Sequence, residues 1–409
     1  MKYVAHIPLI GGFALANMNV VKKPPIAITS YSAFGNNDKL FLRYLQKKNI
    51  RIPYFELDKL NEGQKKSIQE LIGKIDFVSG VPPCSGLSMS GNLKAGERAT
   101  APANDWMYLS AEFVLGTMKP KVFWGENAPT FAGKTGAKIR QKIYEIGRKN
   151  GYTMSIYKTK SLDHGLPQYR GRCFYFFWKE KNSVPLFSRY QRDFITIEDL
   201  IDGVQGNSQR ELTNKAIPSE NMYYRYLLDV AMPGATHEEY VKTIEYSSDV
   251  LTYILKHGTS FPKLAEYFKK LGNEAEYNRC LKRQSKLDNG KGNMLRTIYL
   301  PKKRTGAFVG YLPTHMTHHR EDRFLSYREC MAIMGLPQDF ELLNPRKNLN
   351  HICQNVPVTT AKDMAGEIKK YLEGNAKMVD ATQFFQANDN SGREQIWEKE
   401  EPTLERHFG

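Results

Sequence analysis

The feature that most constrains this chain is the alternation filling its first 180 residues, where short apolar runs are each followed by a stretch of helical spacing. Val4–Leu9, Ile26–Ser30, Pro53–Leu57, Asp76–Gly80, Lys121–Gly125, Thr153–Thr159 and Arg172–Trp178 read as strands. Asp38–Lys47, Glu62–Ile72, Trp106–Met118 and Ala137–Lys149 read as helices between them. Strands that alternate with helices in this way imply an α/β fold with a doubly wound sheet, whose ligands bind at the carboxyl ends of the strands. Gly11-Gly12, directly after the first strand, stands where a cofactor-binding turn would lie.

From about Phe187 to Asp322 the rhythm breaks. Thr236 to Glu239 looks like a capping box opening a helix through Lys256, and Lys263–Leu271 reads as a second helix. Between Arg279 and Arg304 nine Lys or Arg face a single acid, Asp288, about half of the net charge of +16, which points to a polyanionic partner. With Gly290-Lys-Gly292 and Tyr299, the composition suits a flexible loop that contacts phosphates. A charge run can equally be a solvated face. Helical periodicity returns at Asp322–Pro337 and Gln354–Leu372, and residues 373–409 form a polar, charge-mixed segment expected to be a mobile tail. A chain of 409 residues exceeds one hydrophobic core, so two domains are expected. The longest apolar runs are far too short to span a membrane and the first residues lack a signal-peptide core, so a cytoplasmic protein is expected.

Three stretches carry chemistry. Five cysteines, at 84, 173, 280, 330 and 353, are widely spaced with no C-x-x-C, which argues against zinc and against a disulfide framework. Cys84 follows Pro82-Pro83 at a strand end and is flanked by Ser85-Gly86, a setting unlike that of a core cysteine. A thiol there needs a base, a cation or a helix terminus to become a nucleophile. Glu126-Asn127 end an apolar strand, where desolvation would raise a glutamate toward a proton donor's working range; capping of a helix is the plainer alternative. Gln168, Arg170 and Arg172 alternate, so all three point to one side of an extended segment. Two same-facing arginines call for an anionic or carbonyl-bearing partner, or else form a surface ion-pair ladder.

Taken in order, these stretches resemble the DNA (cytosine-5) methyltransferase family over most of the chain. Ile10–Ala16 (IGGFALA) is similar to its opening glycine turn, Pro82–Ser88 (PPCSGLS) to its nucleophile loop, GENAP to its glutamate motif and PQYRGR to its arginine motif. DRFLSYRECMAIMGLP resembles the segment after the target-recognition domain and VPVTTAKDMAGEI the closing helix. The resemblance implies a Rossmann-like methyltransferase sheet built from residues 1–186 and 321–372, with a smaller target-recognition domain, 187–320, inserted. It implies that Cys84 attacks C6 of a cytosine flipped out of duplex DNA, so that C5 takes a methyl group from S-adenosylmethionine. Glu126 would hold N3 and the exocyclic amine and Arg172 the base O2, with Arg170, Gln168 and Asn127 in support. Ser85, Ser88, Lys282, Arg283, Lys286, Lys291, Arg296, Lys302, Lys303 and Arg304 would contact DNA. The protein is expected to act as a monomer without a metal.

The cofactor side departs from the family. Its opening Phe-x-Gly-x-Gly-Gly is replaced by Ile7-Pro8-Leu9-Ile10-Gly11-Gly12. Tyr31, Ser32 or Asn36 stands where the ribose-binding acid is expected, and Cys353-Gln354 replaces Gly-Asn. Glu56, with Leu57 beside it, fits the acid that accepts from the adenine amine. Pro82, Pro83, Met107, Gln354, Asn355 and Val356 complete the expected cofactor set. Three readings are open: ordinary S-adenosylmethionine held through substitute contacts, a modified sulfonium donor such as carboxy-S-adenosylmethionine, or a DNA-binding relative without activity.

Overall fold

The computed structural model describes residues 1–82, 87, 102–204, 211–243, 248–293, 297–300, 303–308, 310, 312–342 and 345–381. Its strands are β1 (Tyr3–His6), β2 (Ala27–Ser30), β3 (Tyr54–Glu56), β4 (Phe77–Gly80), β5 (Val122–Asn127), β6 (Thr153–Lys160), the short β7 (Gln168–Tyr169) and β8 (Gly171–Trp178). Seven of them make one sheet in the order β3-β2-β1-β4-β5-β8-β6. Strands β1 to β5 run parallel, and β8 is antiparallel to both β5 and β6. Strand order reverses between β1 and β4, which opens a crevice at the carboxyl ends of the central strands.

Both faces of the sheet are buried, as near-continuous apolar strands require. Alternation along β8 sends Phe174, Phe176 and Trp178 into one core and Cys173, Tyr175 and Phe177 into the other. Helices α1 (Gly12–Val21) and α2 (Gly35–Lys47) cover the first face. Helices α3 (Glu62–Ile72), α4 (Asp105–Ala111) and α5 (Ala137–Lys149) cover the second. The closing helix Val358–Leu372 packs back along α1. Its Asp363 is fastened between His164 Nδ1 at 2.8 Å and Arg192 at 2.7 Å.

A third core, from Tyr223 to Ile298 with Phe324 joining it, belongs to the insertion. Ile197, Ile201, Phe308, Leu312 and Met316 pack into the main core instead, so the separately cored part is narrower than 187–320. The helix expected from Thr236 through Lys256 is two helices, His237–Thr243 and Val250–Lys256. Between them Ser248–Asp249 pairs with Tyr299–Leu300, and the Asp249 side chain caps the second helix. The capping box itself forms, with Thr236 Oγ1 and the Glu239 carboxylate bonded to each other's backbone N–H. The first part of the basic segment is no loop: Glu274–Asp288 is a helix, joined to Phe261–Lys270 by a short turn. The polar end also differs from expectation at its start, where Met378–Asp380 pairs antiparallel with Ser183–Pro185; residues 382–409 lie outside the described residues.

Candidate active site

At the carboxyl edge of the sheet the parallel strands β1, β4 and β5 end side by side. Glu126 is the penultimate residue of β5 and is 3 % exposed. It stands opposite Phe174 on β8, and Arg172 lies two residues further along the same face, so carboxylate and guanidinium are diagonal cross-strand neighbours. They form an ion pair between Arg172 Nε and Glu126 Oε1, off the line of a hydrogen bond. Burial raises the Glu126 pKa above its ordinary value, against the opposing charges of Arg172 and Arg170. Arg172 keeps part of its side chain open to solvent, and one N–H donates to the Gly171 carbonyl at 2.7 Å.

Arg170 is 1 % exposed and faces inward. It donates to the carbonyls of Phe308 at 2.8 Å, Cys353 at 2.6 Å and Asn355 at 3.3 Å. Gln168 donates to the Ile333 carbonyl at 2.9 Å, and its strand β7 pairs in parallel with Thr305–Gly306. These two residues therefore clamp the chain returning from the insertion and the closing motif. Asn127, expected beside Glu126, points to the opposite face of the sheet because neighbours on a strand alternate. Its amide donates to Met107 Sδ at 3.1 Å and its oxygen accepts from the Ala128 N–H at 2.8 Å, which fixes the end of β5.

Pro83, Cys84, Ser85 and Ser88 lie outside the described residues, as do Arg296 and Lys302. On either side of Cys84 the chain is anchored. Pro82 is buried, and Leu87 is sealed in the core with its carbonyl accepting from Thr130 at 2.5 Å, in the turn that follows Glu126. The other four cysteines are buried thiols; burial raises the thiols of Cys280, Cys330 and Cys353, the last to about 12. None of those three is poised as a thiolate.

The turn between β1 and α1 holds the expected cofactor residues. Ile7, Pro8 and Ile10 line it, Ile7 and Ile10 fully buried. Gly11 has φ 102°, a conformation that disfavours a side chain, and a Cβ there would strike Phe41 at 2.3 Å. A Cβ on Gly12 would lie 2.3 Å from both Asn355 Oδ1 and the Val356 carbonyl, and the Gly12 N–H donates to Asn355 Oδ1 at 2.9 Å. Asn355 Nδ2 is buried beside this turn without a hydrogen-bond partner among the described residues. Gln354 is exposed, while Val356 is buried. After β2, Tyr31 packs on His6 and on Trp106, and Ser32 bonds Asp58 through both its N–H (2.9 Å) and its hydroxyl. Those bonds from Ser32 hold the Asp58 carboxyl below its usual range although burial opposes them. Glu56 pairs with Lys59, and Leu57 is buried beside it.

A model of the C-5 cytosine-specific DNA methylase family matches residues 9–370. The chain belongs to that family. Among curated members, it is 23 % identical over 300 residues to the Type II methyltransferase M1.HphI of Haemophilus parahaemolyticus, covering 73 % of this chain and 69 % of the relative. It is 24 % identical over 323 residues to M.NgoPII of Neisseria gonorrhoeae, covering 77 % and 83 %. Among solved structures, a prophage-encoded E. coli protein described as a DNA modification methyltransferase aligns at TM-score 0.58 and 15 % identity, over 91 % of this chain and 99 % of that one. The fold expected from sequence, a methyltransferase-type α/β sheet, is therefore the observed one.

Asp58, Phe34 and Trp106, which are not among the expected residues, stand beside Ser32 and Tyr31. Phe34 and Tyr31 both pack on the Trp106 ring, at 5.0 and 4.8 Å between centroids. No spacing in the sequence marks these three, since they meet only once β2, β3 and α4 are assembled. In the insertion, Lys282, Lys286, Lys291, Lys303 and Arg304 are exposed. Arg283 instead donates to the Tyr223 hydroxyl at 2.9 Å and lies over the Tyr223 and Phe261 rings, so it is tied into the insertion's core. No helix among the described residues is long and apolar enough to cross a membrane. One cluster, Asp202, His318 and His319, gathers ligand-type atoms within 4.8 Å. There His318 Nδ1 accepts the backbone N–H of Arg320 and Glu321, and the Arg320 guanidinium pairs with Asp202, while His319 Nε2 lies 3.1 Å from Asp202 and neither His319 ring nitrogen has a hydrogen-bond partner among the described residues.

Proposed function

We propose that this chain methylates C5 of a cytosine flipped out of duplex DNA, with Cys84 as the nucleophile and S-adenosylmethionine as the donor. The observation that carries the reading is the buried Glu126–Arg172 pair at the carboxyl end of β5, next to the anchor at Leu87 that holds the segment following Cys84. The Cys84 sulfur adds to C6, and the electron pair moves toward the N3–C4 side of the ring. Glu126, protonated more readily because it is buried, donates to N3 and accepts from the exocyclic amine. The outer part of Arg172 binds O2. C5, nucleophilic as the enamine carbon beside C4, takes the methyl group; water then accepts the C5 proton as the C6–S bond breaks, and departure of the thiolate restores the ring.

When bound, S-adenosylmethionine supplies a methyl group on an electron-poor sulfonium. The left-handed Gly11, the closely packed Gly12 and the orphaned Asn355 Nδ2 fit a turn that receives such a ligand. Ser32 with Asp58, Glu56, Tyr31 and Trp106 would hold its adenosine half. Exposed Lys282, Lys286, Lys291, Lys303 and Arg304 would contact phosphates and offset the few kcal/mol that base flipping costs.

The test is incubation with duplex oligonucleotides and S-adenosylmethionine, followed by nucleoside mass spectrometry. Gain of one methyl on deoxycytidine, lost in Cys84→Ala, is expected. A heavier group on C5 when cell extract supplies the donor would point to a modified sulfonium. DNA binding with no transfer at all would overturn the catalytic reading.

A further inference from the structure

The turn from β1 to α1 contains three left-handed residues, Ile7 at φ 46°, Leu9 at φ 52° and Gly11 at φ 102°. Only Gly11 lacks a Cβ, so the other two are strained and must be held by their surroundings. Ile7 is held by the sheet, since its N–H donates to the Thr29 carbonyl at 2.8 Å. Leu9 stands where the family pattern carries a glycine, and its N–H donates to Oδ1 of Asp38 at 2.9 Å. Asp38 lies in the first turns of α2, is fully buried, and receives the Tyr54 hydroxyl from β3 on its other oxygen at 3.1 Å. The Leu9 side chain reaches the cores on both faces of the sheet.

We infer that Asp38 is a positioning residue for the methyl donor: its buried carboxyl pins Leu9 in the left-handed conformation that a glycine would adopt unaided, and so fixes the donor-binding turn. A departure in the glycine pattern is thereby matched by an acid on a different element. The inference rests on the donor site assigned above. Among the described residues, the groups acting most strongly on the carboxyl are Ser30 on β2, Tyr54 and Glu56 on β3, and the Leu9 N–H from the turn. Burial, joined by the charge of Glu56, raises the Asp38 pKa to about 7 while the hydrogen bonds work against it. A neutral carboxyl accepts less strongly than a carboxylate. Donor affinity should therefore decline as pH falls through about 7.

The experiment is calorimetric titration of S-adenosylmethionine into the full chain carrying Asp38→Leu, Asp38→Asn, Leu9→Gly, and Leu9→Gly combined with Asp38→Leu. Removing the acceptor with Asp38→Leu should weaken binding about tenfold, and adding Leu9→Gly should recover most of that loss, because glycine needs no clamp. Asp38→Asn, which keeps an acceptor oxygen, should lose only about two- to threefold and should flatten the pH dependence of affinity. Under saturating donor, turnover of the variants should approach that of the parent. An equal loss with Leu or with Leu9→Gly in the background would overturn the inference, as would an unaltered pH profile in Asp38→Asn. If Asp38→Leu fails to fold, the Asp38→Asn profile decides. A parent protein that binds no S-adenosylmethionine refutes the donor site itself; the coupling between positions 9 and 38 is then read from thermal unfolding, where the same recovery is expected.

Discussion

Replacing Arg170 by methionine tests whether the closing motif and the returning insertion are held by one side chain. Arg170 is 1 % exposed and donates at 2.8 and 2.6 Å to the Phe308 and Cys353 carbonyls, with a longer contact of 3.3 Å to Asn355. Hydrogen bonds from a charged group contribute about 1.5–3 kcal/mol each, and an acceptor left buried and unpaired costs about 1–3 kcal/mol. Two short bonds and one long one place the loss for Arg170→Met at about 3–5 kcal/mol, less what methionine regains by packing. That is a large share of the ~5–15 kcal/mol that stabilises a domain. Arg170→Lys keeps the charge but cannot fork to carbonyls on separate segments, so it should recover less than half of the loss. Urea unfolding gives the measure, with the midpoint falling at nearly constant slope. Methyl transfer should fall in step even where the protein is folded, because Asn355, bonded to Arg170 through its backbone, also holds Gly12 through its side chain. A loss below about 1 kcal/mol for Arg170→Met would show that the three carbonyls are satisfied elsewhere and would refute the clamp.

Other outcomes rest on the same geometry. Because burial raises the folded pKa of Glu126, its contribution to stability is fully present below the ordinary value of 4.5 and is lost as pH rises through the folded value. Glu126→Gln cannot titrate, so urea melts across that window should show a flatter pH dependence than the parent, while methyl transfer drops by about 10²–10³; an unchanged pH dependence would mean the carboxyl is not desolvated. Asp58→Ala should weaken S-adenosylmethionine binding about five- to tenfold by releasing Ser32, and unaltered affinity would remove both residues from the donor site. Lys282→Ala with Lys286→Ala should lower the slope of log affinity against log salt for duplex DNA by about one per lysine, whereas an unchanged slope would take this helix off the DNA.

The sheet was legible because its strands are short apolar runs buried on both faces, and that pattern has no other stable use. All seven predicted strands of the main sheet overlap observed ones. The insertion was harder for a physical reason. In the helix Glu274–Asp288 only Glu276 and Cys280 are buried, so no apolar stripe announces it and its basic composition reads as loop. The break inside the helix expected from Thr236 to Lys256 arises where Ser248–Asp249 pairs with Tyr299–Leu300, some 50 residues away in sequence, a partner that local spacing cannot reveal. Glu126 and Arg172 could be read from their motifs, whereas Asn127 could not be separated from Glu126 until strand alternation placed the two on opposite faces.

The departures on the cofactor side make physical sense when each is read with its spatial neighbour. Leu9 in place of glycine meets the Asp38 carboxyl. The replacement of Gly-Asn by Cys353-Gln354 leaves Asn355 to receive the Gly12 N–H, while the Cys353 carbonyl accepts from Arg170. Ser32, where an acid is expected, carries one at second hand through Asp58. In each case a neighbour takes up the role: a residue on another element for Leu9 and Ser32, and the next residue along the chain for Gln354. Linear motif comparison registers such a move as loss. Under the proposed reaction Glu126 and Arg172 would have no such freedom, because a base ring would have to meet carboxylate and guanidinium at fixed positions, and a side chain arriving from elsewhere would have to reproduce both direction and distance. Backbone turns can be braced from several sides. On that reading the divergence of this chain is concentrated where bracing can be exchanged and is small where a reacting ring would be gripped.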